Sequence, residues 1–155
     1  GASLHDFTGR VFAFASPESA SGFIVPLRYF IRDLRMTPGM FARRALFAGN
    51  HKRVIEGVLS GEYDLGATND MDLERIGKTL PGAARLRVLW QSELIPGAPF
   101  CTRPGLPESL ISAIQVTLWH YNLNPERTRL LASGGFVPAT VDDYLSARSL
   151  ESFRP

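Results

Sequence analysis

The feature that most constrains this chain is a regular alternation of short apolar runs and helical patterns over its first ninety or so residues. Runs rich in aromatic and aliphatic side chains occur at residues 10–15, 44–47, 63–67 and 85–90. Each of the first three is followed by a polar turn and then by helical spacing. Strands joined by crossover helices form parallel sheets. We therefore predict an α/β fold: a mostly parallel sheet flanked by helices.

The first crossover helix and the last third of the chain differ in character. The first helix is predicted to run to about Arg35, with Ile24, Leu27, Ile31 and Leu34 forming one buried stripe. After residue 95 the pattern becomes helical. We predict two parts: an α/β lobe over residues 4–92, and residues 93–155 as a hinge return followed by C-terminal helices.

Composition excludes several classes of protein and site. A net charge of +2, spread along 155 residues, provides no basic patch for nucleic acid or an anionic membrane. The single Cys101 cannot close an internal disulfide, and the three histidines have no metal-ligand spacing. No Gly-x-Ser-x-Gly motif marks a nucleophilic serine. We expect no catalytic residues, no metal and no cofactor.

Polar turns follow the first three predicted strands, and right-handed crossovers place them at one edge of the sheet. The first turn contains Ser19, Ala20 and Ser21 before a helix, which favours an anion site. His51 begins the second helix, and Asn69 and Asp70 follow the third strand. Each residue has a simpler interpretation, as a helix cap or an exposed side chain. Their convergence favours a ligand site.

Four blocks carry a family resemblance, and their order and spacing match it. They are Phe12-Ala13-Phe14-Ala15-Ser16-Pro17-Glu18-Ser19-Ala20-Ser21-Gly22-Phe23, Phe47-Ala48-Gly49-Asn50-His51, Tyr63-Asp64-Leu65-Gly66-Ala67-Thr68-Asn69, and Leu86-Arg87-Val88-Leu89-Trp90-Gln91-Ser92 with Ile95-Pro96. The later Gly135-Phe136-Val137-Pro138 is similar as well. Together they resemble the phosphate, phosphite and phosphonate substrate-binding proteins of ABC transporters.

The resemblance implies a periplasmic-binding-protein-like fold of type II, with ligand held in a cleft between two α/β lobes. It implies that Ser19, the backbone of Ala20, and Ser21 hold the oxygens of a phosphonate or phosphate, with a further donor from His51. Asn69 and Asp70 match the third loop of the cleft. Two departures stand out: Ala20 replaces a common threonine, and Ala98 replaces an aspartate that lines the cleft, which bears on recognition of an amine-bearing phosphonate.

The resemblance also sets the expected partners. It implies an extracytoplasmic, periplasmic location, with no signal peptide in this chain, and ABC permease subunits as partners. The matching blocks correspond to the second lobe and the C-terminal segment, so apolar faces such as Leu110, Ile114 and Leu118 are expected to lie partly uncovered. We therefore predict a homodimer or swapped assembly. Two alternatives are a ligand-sensing domain of a signalling protein and an enzyme on the same fold.

Overall fold

The computed structural model describes residues 3–131 and 134–153. The chain divides into two compact units: the sheet unit, residues 1–95 with 146–155, and the helical unit, residues 96–145. The strands are β1 (Val11–Phe14), β2 (Arg44–Phe47) and β3 (Leu65–Gly66). The helices are α1 (Val25–Arg32), α2 (Pro38–Phe41), α3 (His51–Ser60), α4 (Asp70–Gly77), α5 (Glu108–Asn122), α6 (Pro125–Leu130) and α7 (Leu145–Arg148).

The three strands form one parallel sheet in the order β2-β1-β3. Phe12 of β1 lies opposite Ala45 of β2 and Leu65 of β3. The chain therefore leaves and re-enters the sheet through crossover segments that contain α1, α2 and α3. The predicted α/β class is confirmed, and the carboxyl ends of all three strands lie at one edge.

The alternation of side chains along β1 builds a core on each face of the sheet. Phe12 and Phe14 belong to an aromatic cluster with Phe30, Phe41 and Leu65. On the other face, Ala13 and Ala15 pack with Val54 and Tyr63. Small side chains on that face let α3 approach the strand closely. This packing positions the start of α3 beside the end of β1.

The predicted buried stripe of the first helix is wrong at Ile31, whereas Ile24 is buried and Leu34 packs against the aromatic cluster. Ile31 is 41% exposed, whereas Val25, Pro26 and Phe30 are buried. A π-helical turn over Ala20–Ile24 precedes α1, and within α1 Phe30 packs against Phe12 and Phe41 of the aromatic cluster. Adjacent residues of an α-helix point about 100° apart, so Ile31 faces away from that cluster.

The predicted fourth strand at residues 85–90 is also absent from the described part of the chain. A 3₁₀ turn covers Ala83–Arg85, and the following backbone is extended without a ladder to β3. Side-chain packing holds this segment instead. Leu89 packs against the aromatic cluster, and Trp90 stacks on Tyr29 of α1 with ring centroids 4.2 Å apart.

The helical unit contains α5, α6 and the segment from Gly135 to Pro138. Asn122, at the end of α5, accepts from the Phe136 N–H at 2.7 Å through its side-chain oxygen. The Phe136 ring packs edge-on against Phe100 and Tyr121. These contacts hold Phe136 of the Gly-Phe-Val-Pro block against the end of α5. Over the described residues, no helix has both the length and the apolar character needed to cross a membrane.

Candidate functional site

The loop after β1 folds back on itself around the Ser19 side chain and carbonyl. The Gly22 N–H donates to Ser19 Oγ at 3.0 Å, and the N–H groups of Phe23 and Ile24 donate to the Ser19 carbonyl. Ser19 therefore caps the π turn that leads into α1. The first N–H groups of a helix have no partner within it, so the backbone of Ala20 and Ser21 is suited to meet an anion.

A glycine is required at position 22 because the loop there lies too close to neighbouring side chains to leave room for a Cβ atom. A Cβ atom built on Gly22 would lie 2.9 Å from Ser19 Oγ and 2.9 Å from His51 Cε1, and would also strike the Ala15 side chain. The missing side chain thus leaves room for the His51 ring beside the serine turn.

His51 links the loops that follow all three strands. The residue begins α3 directly after β2, with Asn50 as the N-cap. Its Nε2 lies 3.3 Å from Ser19 Oγ in the β1 loop, and its Nδ1 lies 3.2 Å from Thr68 Oγ1 in the β3 loop. The predicted convergence at this edge is therefore made through one half-buried imidazole ring.

The charge state of His51 is set mainly by burial. Desolvation lowers the pKa of the His51 imidazole below its usual value of 6.5, and the nearby Asp72 carboxylate opposes that shift only in part. The Arg75 guanidinium and the Asn69 amide, both hydrogen-bonded to Asp72, hold the pKa of that carboxyl below its usual range. At neutral pH the ring is therefore uncharged, and one nitrogen donates while the other accepts.

Asn69 and Asp70 are engaged in capping α4. The Asn69 side-chain oxygen accepts from the Asp72 N–H at 2.6 Å, and its amide donates to the Asp72 carboxylate at 3.0 Å. Asp70 is exposed, and its carboxylate accepts from the Met71 N–H at 2.9 Å. The capping interpretation accounts for every hydrogen bond described here for these two side chains.

A cavity of about 660 Å³ lies within the sheet unit beside this edge. Ser21, Thr68, Asn69 and Asp70 are among its polar lining residues, and most of the lining residues are apolar. Ser21 is the member of the serine turn that lines it. Five of the six predicted site residues thus fall into two groups: Ser19 with His51, and Ser21 with Asn69 and Asp70 at the cavity. Ala20 lies exposed between the two serines.

Thr68 is the residue that sequence reasoning missed as a site residue. It stands just beyond β3, as the serine turn stands beyond β1, and its hydroxyl reaches His51. Its position at the carboxyl end of a predicted strand is the one signal that could have selected it.

Comparison with known proteins places the chain in a family. A family model described as "ABC transporter, phosphonate, periplasmic substrate-binding protein" matches residues 1–144. The chain belongs to this family. The family consists of substrate-binding transport proteins, and its description calls them periplasmic.

Two curated relatives and one solved structure are similar. The chain is 29% identical to the "Phosphonates-binding periplasmic protein" of Escherichia coli, over 82% of this chain and 37% of that protein. It is 27% identical to the "Phosphate-import protein PhnD" of Mycolicibacterium smegmatis, over 94% of this chain and 51% of that protein. A crystal structure of a binding protein component of an ABC phosphonate transporter from Pseudomonas aeruginosa matches with a TM-score of 0.82 and 29% identity, over 98% of this chain and 53% of that one. The chain thus spans about half or less of the length of these proteins.

Proposed function

We propose that this chain supplies one wall of the ligand site in a periplasmic substrate-binding component of an ABC transporter for phosphonate, phosphite or phosphate-type oxyanions. The observation that carries the proposal is the double hydrogen bonding of His51, which joins the three strand-end loops. Membership of the family and the ligands in the relatives' names support it. The proposed role is non-enzymatic, with permease subunits as partners.

The proposed site uses the serine turn as the main anion contact. The backbone of Ala20 and the hydroxyls of Ser19 and Ser21 would donate to the ligand oxygens at the positive end of the following helix. His51 acts from behind Ser19, and Asn69 and Asp70 border the ligand from the third loop. In this proposal residues 4–92 are the lobe that holds the site, and residues 93–155 return from the hinge.

Isothermal titration of the chain with phosphate, phosphite, methylphosphonate and aminoethylphosphonate tests this function. We expect at least one of them to bind, and Ser21→Ala to raise the Kd roughly 10-fold to 100-fold, since a hydrogen bond to a charged group contributes about 1.5–3 kcal/mol. Ser60→Ala changes an exposed serine at the last residue of α3, at the opposite end of that helix from His51, and serves as the control. An unchanged Kd in Ser21→Ala, or no binding by folded protein, would contradict the proposal.

We further propose that α5 mediates self-association. Leu110 and Ile114 on one side of the helix are 46% and 39% exposed, and Val116 and Trp119 on another side are 53% and 56% exposed. A helix that is apolar around most of its circumference is usually covered by other protein. A second copy of the chain provides a matching apolar surface.

Light scattering tests this association. We expect a particle of twice the chain mass, and dissociation in Ile114→Glu because a charge would be buried at the contact. Gln115→Glu places the same charge at the next residue of α5, which is already polar and exposed, and is expected to leave the dimer intact. A wild-type monomer at all concentrations tested would rule out the dimer.

A further inference from the structure

A continuous line of hydrogen-bonding groups joins the three strand-end loops. Thr68 Oγ1 lies 3.2 Å from His51 Nδ1, His51 Nε2 lies 3.3 Å from Ser19 Oγ, and Ser19 Oγ accepts from the Gly22 N–H at 3.0 Å. Thr68 and His51 are both half-buried. Each ring nitrogen has one hydroxyl partner. The position of the imidazole proton therefore couples the donor and acceptor roles of the two hydroxyl groups.

The position of the imidazole proton decides whether Ser19 can donate a hydrogen bond to a ligand. A hydroxyl has one proton to donate and two lone pairs to accept with. One lone pair of Ser19 already accepts from Gly22. If His51 carries its proton on Nε2, that N–H occupies the second lone pair, and the Ser19 proton is left to donate elsewhere. If the proton is on Nδ1, Nε2 becomes an acceptor and takes the Ser19 proton.

Only the first arrangement leaves Ser19 able to donate to an oxyanion held at the serine turn. That arrangement requires the other ring nitrogen, Nδ1, to accept, and the group facing it is the Thr68 hydroxyl. Which nitrogen of a histidine carries the proton is set by the hydrogen bond made at the other nitrogen. The Thr68 hydroxyl can donate or accept, and only its donation to Nδ1 is compatible with the arrangement that frees Ser19.

We propose that Thr68 is a positioning residue for the anion site: its hydroxyl donates to His51 Nδ1, keeps the imidazole proton on Nε2, and so frees the Ser19 hydroxyl to donate to the bound oxyanion. This inference rests on the proposed function for the part that concerns the ligand. Thr68 acts through His51 and Ser19, and its own contact with the ligand is not required.

The test pairs Thr68→Val, which has nearly the same shape without the hydroxyl, with Thr68→Ser, which keeps the hydroxyl. Imidazole ¹⁵N chemical shifts at pH 7.5, without added anion, report the tautomer of His51, and His5 and His120 serve as internal references. We expect an unprotonated Nδ1 in the wild type and in Thr68→Ser, and a mixture of tautomers in Thr68→Val. A protonated Nδ1 in the wild type, or an unchanged tautomer in Thr68→Val, would overturn the proposal.

Titration with inorganic phosphate gives the second readout. We expect Thr68→Val to bind about tenfold more weakly, as for loss of one hydrogen bond to a charged group, and Thr68→Ser to bind as the wild type does. Equal affinity of the valine and serine variants would contradict the link to Ser19. If the wild type does not bind phosphate, the same titration is made with phosphite, methylphosphonate and aminoethylphosphonate; if none of the four binds, the proposed function fails, while the ¹⁵N shifts measured without anion still decide the tautomer that Thr68 is proposed to set.

Discussion

A Phe30→Ala variant is expected to lose about 3–5 kcal/mol of unfolding free energy, the range for removing a large aromatic side chain from a packed core. Phe30 is 1% exposed, and its ring centroid lies 5.0 Å from that of Phe41 and 5.5 Å from that of Phe12. It attaches α1 to the central strand, so its loss also loosens the turn that leads into α1. Urea unfolding followed by fluorescence measures the change in midpoint.

Leu94→Ala is the matched control, because Leu94 is 86% exposed and surface truncations change stability by about 0.5 kcal/mol or less. A Phe30→Ala midpoint within the error of the Leu94→Ala midpoint would mean that the aromatic cluster does not hold the sheet unit together.

Gly22→Ala is expected to remove oxyanion binding altogether and to cost about 1–3 kcal/mol of unfolding free energy, as overpacking of a tight site does. The added methyl would meet Ser19 Oγ and His51 Cε1 at 2.9 Å and the Ala15 side chain. Relief requires the serine turn to move away from His51 and from the end of β1. Both the Ser19–His51 contact and the first-turn N–H groups would then be displaced.

Titration with phosphate and thermal unfolding of the same samples measure both effects. Gly39→Ala provides the control, because a Cβ atom there meets nothing closer than Thr37 Oγ1 at 4.0 Å. We expect that variant to bind and unfold as the wild type does. If Gly22→Ala kept the wild-type affinity, the close approach of the serine turn to His51 would have no part in binding.

Local chemistry explains why several features could be predicted from the residues alone. Ser19, Asn50 and Asn69 each cap a helical turn by accepting from an N–H three residues ahead. Such caps depend only on near neighbours in the chain. The alternation of strand and helix patterns likewise predicted the parallel sheet, and the direction of its crossovers predicted that the polar turns share an edge.

Other features required the folded structure, because they depend on residues distant in sequence. Phe30 of α1 is buried and Ile31 is exposed, because Phe30 packs against Phe12 and Phe41 of other elements. Residues 85–90 have the composition of a strand, but Trp90 stacks on Tyr29 and no ladder forms with β3. Strand preference reflects how side chains pack against their neighbours, and those neighbours are set by tertiary structure.

The candidate site likewise depends partly on local sequence and partly on tertiary structure. The residue types at the strand ends, and the fact that they meet at one edge of a parallel sheet, were determined by the sequence through local capping and crossover topology. The partner of each atom was decided only by tertiary structure. His51 lies between Ser19 and Thr68 because β1 pairs with both β2 and β3. That pairing brings His51 next to Ser19, 32 residues before it in the chain, and to Thr68, 17 residues after it.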